Sequence, residues 1–347
     1  MMKKQLTWGA VAAFAILALI GCGSGGGDTK TTEATGESKT GDAKLAGSIT
    51  IDGSSTVQPI LEAMAEEFNK ANPDVKITIG VSGTGGGFKK FVAGEIDIAN
   101  ASRPIEAEEI TKATENKIEF IELPIAFDGL SVVVNPQNTW VDSLTIAELK
   151  KVWEPNSKVK TWADVRAGFP AEPIKLYGPG TDSGTFEYFT EAVNGKKKAS
   201  RTDYQGSADP NVLVQGIAGD KGSLGYFGFA YYEQNTDKLK LVPVDGGKGA
   251  IAPSAETIMN NTYQPLSRPL FIYVKKSSAD RPEVKAFVNF ILGEGSKLVK
   301  DAKYIELPAT TYTVVQKHWT DGKVGTVFKG VEPGIKIEDI LTREQGK

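Results

Sequence analysis

The residues most able to do chemistry in this chain are glycines and small hydroxyl side chains gathered at strand-to-helix turns. The fullest example runs from Ile174 to Phe189, IKLYGPGTDSGTFEYF. A short apolar strand, Ile174 to Tyr177, turns through Gly178, Pro179 and Gly180. Thr181, Asp182 and Ser183 then precede Phe186, Phe189 and Val193, which recur at helical spacing. Asp182 or Ser183 is the expected N-cap. A helix start leaves backbone N–H groups without intrahelical partners, and the macrodipole makes that end partly positive. Gly184 lets a small group approach the backbone, and Ser183 and Thr185 add hydroxyl donors, so the turn can seat a small oxyanion. Read alone, it is equally an ordinary glycine-rich connection.

The same device recurs three times. Ser48 to Asp52 reads as a strand leading into Gly53-Ser54-Ser55-Thr56, and Val57, Ile60, Leu61, Met64 and Phe68 then form one helical stripe ended by Asn72-Pro73. Val75 to Val81 alternates as a strand before Ser82-Gly83-Thr84-Gly85-Gly86-Gly87, which opens a short helix with Phe88 and Phe91. Ile96 to Ala99 reads as a buried strand before Asn100-Ala101-Ser102-Arg103-Pro104, where Pro104 suits a helix start and Glu106, Glu108 and Glu109 a first turn. Strands alternating with helices argue for an α/β fold with largely parallel sheets, in which ligands collect beyond the carboxyl ends of the strands. The four turns are therefore expected to converge. Further along, helices are expected at Ile146–Val152, Val212–Ile217 and Pro282–Leu292, with strands at Leu130–Val134, Gly222–Phe227, Leu239–Val244 and Leu270–Val274. Lys196 to Gln205 reads as a basic and polar surface run.

Lys3 and Lys4 precede an apolar run, Leu6 to Ile20, too short for a comfortable membrane span and fitting a signal peptide over residues 1–21. It ends Leu19-Ile20-Gly21-Cys22, an order that resembles a bacterial lipobox; the other reading is an uncleaved anchor helix with an incidental cysteine. Cys22 is the sole cysteine, so an intramolecular disulfide is impossible and the fold must rely on its core. Diacylation of Cys22 would hold the chain on a membrane. Residues 22–46 lack apolar side chains to form a core and read as a flexible tether, with the folded body beginning near Gly47. The signal segment carries two of the 40 Lys+Arg and none of the 43 Asp+Glu, so its loss takes the net charge from −3 to −5. Mild acidity argues against a nucleic-acid surface but not against an anion site, because local donors outweigh a screened global charge. The single histidine, His318, sits in a polar helix end and is expected at the surface or an interface, which leaves little for a Ser–His triad or a histidine-built metal site. No metal and no cofactor is expected.

Five segments together resemble the substrate-binding lipoprotein of the bacterial phosphate-specific ABC transporter, the PstS family. They are Gly53-Ser54-Ser55-Thr56-Val57-Gln58-Pro59, Gly83-Thr84-Gly85-Gly86-Gly87-Phe88-Lys89, Ile96 to Pro104, Asp182-Ser183-Gly184-Thr185-Phe186, and Gly225-Tyr226, spread over nearly the whole body to Lys317. The resemblance implies a two-lobed periplasmic-binding-protein fold of type II, with two mixed α/β sheets flanked by helices and joined by two hinge strands. Lobe 1 would comprise 47–128 and 265–347, and lobe 2 would comprise 129–264. Leu123–Leu130 and Gln264–Pro269 would be the crossings. It implies a monomer that binds inorganic phosphate between closing lobes outside the cytoplasm, is anchored through Cys22, and docks on the transporter's permease. The family's ligand groups fall on Ser55, Thr56, Thr84, Ser102, Ser183, Gly184 and Thr185.

Two departures bear on the site. Some members carry an aspartate where this chain has Ser102, and an arginine ahead of the Ser-Gly-Thr turn where it has Pro179. Arg103 is the expected bidentate cation in compensation, with a salt bridge to Glu106 as its other reading. Asp182, with Asp52 second, is the candidate acceptor for the proton of hydrogen phosphate, though Asp182 serves equally as a plain N-cap. The alternatives are binding of another tetrahedral oxyanion (molybdate, tungstate or sulfate) or, behind it, a phosphatase. The latter needs a metal cluster or an activated nucleophile, and Ser183 has no histidine or lysine beside it in sequence.

Overall fold

Ile49 and Ile51 alternate with polar neighbours and are fully buried, which makes the first strand the centre of the first half of the sheet. The computed structural model describes residues 44–181, 183–207, 209–328 and 337–341; the expectations for the signal segment, Cys22, the tether up to residue 43 and Asp182 fall outside them. In chain order the strands are β1 (Gly47–Gly53), β2 (Val75–Val81), β3 (Ile98–Ala101), β4 (Phe120–Val134), β5 (Leu144–Thr145), β6 (Lys175–Pro179) and β7 (Gln205–Ser207). They continue as β8 (Ser223–Gly228), β9 (Lys240–Leu241), β10 (Val244–Asp245), β11 (Ala250–Ile251), β12 (Ser267–Lys275) and β13 (Ile305–Glu306). The main sheet follows the order β2-β1-β3-β12-β4-β8-β6-β7, with β9 and β13 also on β4, while β5, β10 and β11 form a small separate sheet.

Pairing within each half is parallel: β1 with β2 and β3, and β6 with β7 and β8. The middle is antiparallel. Residues 120–129 of β4 pair with β12, and residues 130–134 with β8, so one strand belongs to both halves. Every one of its 15 residues is buried, which is what its near-continuous apolar run dictates. The chain leaves the first half along β4 and re-enters it at Ser267, opposite Gly129.

Helices α1 (Gln58–Ala71), α2 (Thr84–Val92) and α3 (Ala107–Glu115) cover the first half, each following its strand as the turns require. In the second half come α4 (Ile146–Trp153), α5 (Trp162–Val165), α6 (Gly184–Asn194) and α7 (Pro210–Ala218). The core there is aromatic: Phe189 stacks on Tyr226 at 3.6 Å, and Trp153 meets both rings edge-on. In the first half Phe68 of α1 meets Phe287 of the helix Pro282–Leu292 at 5.2 Å.

Several expectations need correction. α3 starts at Ala107 rather than Pro104, because Glu106 and Glu109 form a reciprocal capping box one step later. Leu239–Val244 is broken into β9 and β10, which join different sheets. The run Lys196–Gln205 is not all surface: Arg201 is buried, its guanidinium donating to the carbonyls of Val152 and Val159 and to Asp203. His318 is also buried, on the inner face of the helix Ala309–Thr320 with Val315 and Trp319, and burial together with Lys323 pushes its pKa down.

Glu122, inside β4, is 0% exposed, and burial pushes its carboxyl from 4.5 up to about 7 against the pull of donors from Thr326, Tyr273 and Val327. The folded protein therefore keeps a proton that the unfolded chain releases near pH 4.5. Stability from this group is full below that pH and is lost as pH rises toward 7. The stability difference between wild type and Glu122→Gln, taken from urea midpoints between pH 4.5 and 8, will shrink or reverse over that interval. A pH-independent difference contradicts the assignment.

Candidate functional site

The four turns meet. Gly53, at φ 153°, has no room for a side chain: a Cβ there would fall 2.0 Å from the Asn100 carbonyl oxygen. That close approach lets Ser54 N donate to Asn100 O at 3.0 Å and Asn100 Nδ2 donate to Ser54 O at 3.2 Å, tying the turn after β1 to the turn after β3. The turn after β2 is tied to the same place. Thr84 Oγ1 and Ser102 Oγ are 3.0 Å apart, and Ser102 N donates to Thr84 Oγ1 at 3.2 Å. The fourth turn arrives from the other half of the sheet. Ser183 is the N-cap of α6, its Oγ accepting from Thr185 N at 3.2 Å. A Cβ on Gly184 would lie 2.6 Å from Thr56 Oγ1 and 2.8 Å from Thr56 N, so the helix start is seated directly against the first turn.

Between them lies a cavity of about 10 Å3. One wall is Ser54, Ser55, Thr56, Gly83, Thr84 and Ser102; Gly184 and Tyr188 with Glu187, Glu191 and Lys197 form the other, and Arg268 closes the gap. The volume is near the size that holds a single water.

Arg268 was not expected. It stands near the start of β12, its guanidinium 3.5 Å from the centre of the Tyr188 ring. Nη2 donates to Thr56 Oγ1 at 3.1 Å and to Asp128 Oδ2 at 3.2 Å, while Nε donates to the same oxygen at 3.3 Å. Among the described residues none hydrogen-bonds its Nη1. Asp128 is buried in β4; burial pushes its carboxyl up, and Arg268 opposes that. Glu187 and Glu191 are each paired with a lysine, Lys198 at 3.0 Å and Lys197 at 3.7 Å.

Of the residues read from sequence, Ser55, Thr56, Thr84, Ser102 and Gly184 border this cavity. Ser183 and Thr185 border a separate cavity of about 280 Å3, with Asp128, Lys303 and Tyr304. Arg103 does not border the small cavity. Its fork is closed on Glu109 at 2.8 and 2.9 Å, with Glu106 at 3.0 Å, because the capping box of α3 presents both carboxylates to it. Asp52 is likewise committed. Burial raises its carboxyl, but hydrogen bonds from Lys90, at 2.5 Å, and from Ser82 outweigh that and hold it below the usual range. The missed residues lacked a motif. Arg268 had one signal, a cation leading the apolar strand Leu270–Val274, where it must find a buried partner.

With this geometry in hand, the likenesses to known proteins are specific. Residues 38–294 match the family model of the PBP superfamily domain. The chain is 50% identical over 300 residues to Protein SphX of Synechococcus elongatus, covering 85% of this chain and 88% of that one. It is 41% identical over 325 residues to the phosphate-binding protein PstS of Staphylococcus saprophyticus, covering 92% and 95%. The crystal structure of a possible phosphate binding protein from Planctomyces limnophilus superposes with a TM-score of 0.78 at 49% identity, covering 80% of this chain and 99% of that one. That of a putative phosphate ABC transporter substrate-binding protein with bound phosphate from Clostridium perfringens gives 0.52 at 29% identity, covering 76% and 100%. The chain belongs to the PBP superfamily. Within it, it is a member of the PstS family of substrate-binding proteins.

The Arg268–Asp128 pair predicts a measurable asymmetry. Arg268→Met strands a buried carboxylate and will cost about 3–5 kcal/mol in urea denaturation, whereas adding Asp128→Asn will recover most of that loss. Equal loss in the single and double variants rules the coupling out.

Proposed function

We propose that this protein captures inorganic phosphate outside the cytoplasm and presents it to the permease of an ABC transporter, without catalysing a reaction. The observation that carries this reading is the convergence of four hydroxyl- and glycine-rich turns from both halves of the sheet on one small cavity, with Arg268 beside it. Helix starts and hydroxyls supply directional donors, and the guanidinium supplies the charge that a desolvated dianion needs. Ser55, Thr56, Thr84, Ser102 and Gly184 form the seat, and Ser183 and Thr185 complete the helix start. Arg268 takes the cationic role first given to Arg103. Asp182 remains the proposed acceptor of the ligand's proton, on sequence grounds alone. Membership of a substrate-binding family, and relatives bearing the name phosphate-binding protein, support phosphate over other oxyanions.

In this reading residues 47–128 with 265–347 make one lobe and 129–264 the other, hinged where β4 and the start of β12 cross. Ligand that touches both lobes favours the closed form by its differential affinity, and the permease reads that form. Diacylated Cys22 and the tether keep the monomer at the membrane. Among the described residues no helix is long and apolar enough to cross a membrane.

Calorimetric titration of phosphate-free protein tests this, with phosphate, sulfate and molybdate compared at one pH and salt. Tight one-to-one phosphate binding with sulfate silent is expected. A response to molybdate or sulfate alone overturns the substrate. Arg268→Gln will weaken phosphate binding by about 100-fold, as for loss of a charged hydrogen-bonding group, while Arg103→Ala stays within about threefold. The reverse order returns the role to Arg103. Asp182→Asn will collapse the preference for phosphate over sulfate.

A further inference from the structure

Tyr273, fully buried in β12, touches two of the four turns at once. Its ring meets Phe88 edge-on at 4.8 Å, and Phe88 belongs to α2, the helix that Thr84 opens. Its hydroxyl accepts the Ile105 N–H at 2.9 Å, three residues past Ser102. Arg103 rests on the same stack, 5.3 Å from the Phe88 ring centre. The hydroxyl's own proton goes to Glu122 Oε2 at 2.8 Å.

Glu122 is held from its other side by the segment that follows the helix Ala309–Thr320. Thr326 Oγ1 donates to Oε2 at 2.7 Å and Val327 N to Oε1 at 3.0 Å. That segment is itself pinned. Gly325 N donates to Phe120 O at 2.8 Å, and Phe328 meets Phe271 edge-on at 4.9 Å. A buried carboxyl group held by three fixed donors has one position, and a tyrosine hydroxyl that donates to it must aim its lone pairs in one direction. Here that direction is Ile105.

We infer that the strap Gly325–Phe328 sets the placement of Thr84 and Ser102 at the anion cavity by way of Glu122 and Tyr273, which makes these two positioning residues for ligand binding. The inference takes its ligand from the phosphate reading above, but its wiring does not depend on it. It also gives the C-terminal region a task beyond covering the core: a segment remote from the cavity holds two of its hydroxyls in register. The strap reaches the Ser102 turn through the Tyr273 hydroxyl, and Thr84, hydrogen-bonded to Ser102, moves with it.

The test uses the full chain with Tyr273→Phe, Thr326→Val, the two combined, and Thr326→Ser. Hydrogen–deuterium exchange is read at the peptide carrying Ile105, and phosphate affinity by calorimetry. Loss of the acceptor leaves the buried Ile105 N–H unsatisfied, so Tyr273→Phe is expected to speed its exchange and weaken phosphate binding about tenfold. Thr326→Val, which touches neither the turn nor the cavity, is expected to do both to about threefold, with Thr326→Ser restoring wild-type behaviour. The double variant should be no weaker than Tyr273→Phe alone, since both act through one path. Lower melting temperatures with Ile105 exchange and phosphate affinity at wild-type values would falsify the inference. If wild type does not bind phosphate, the exchange measurement still decides the wiring, and only the functional reading falls.

Discussion

Taking a small anion out of water costs more than any single hydrogen bond returns, so a protein that buries one must meet it with donors on every side. In the phosphate reading, much of this structure follows from that constraint. One strand-to-helix turn presents a few N–H groups and hydroxyls over one hemisphere; four turns are needed to surround an ion, and a single parallel sheet cannot aim four turns inward at one point. The chain solves this with two half-sheets whose carboxyl ends face each other, joined along β4. The price is a strand buried throughout its length, with two carboxylates inside it. Asp128 is answered by Arg268 and Glu122 by the hydroxyls and backbone around it.

Arg268 shows how tightly these parts share one another. Its guanidinium is a counter-ion to Asp128, a lid over the Tyr188 ring and a donor to Thr56. A lysine could supply the charge but not the three directions at once. Because Asp128 already neutralises part of that charge, the cavity is less positive than an isolated arginine would make it.

Sequence carried the architecture well and the electrostatics poorly. Turns built from glycine and hydroxyl residues are local signals, set by backbone geometry within a few residues, and all four lie where their spacing put them. The helices α1, α2 and α6 follow from apolar periodicity for the same reason. Charges are different, because the partner of an ion is chosen by tertiary contact. Arg103 next to Ser102 looked like the ligand cation, but Glu109, six residues on in the first turn of α3, holds its guanidinium. Arg268 acts on Thr56 across 212 residues of sequence, a relation no local pattern contains. His318 and Arg201 were misplaced for a related reason: polar neighbours in sequence do not reveal which face of an element turns inward.

The contact between Gly184 and Thr56 leaves no slack: a Cβ on Gly184 would lie 2.6 Å from Thr56 Oγ1. The two halves of the sheet approach here as closely as the smallest side chain allows, so any residue other than glycine at 184 would set them apart by the width of its own Cβ.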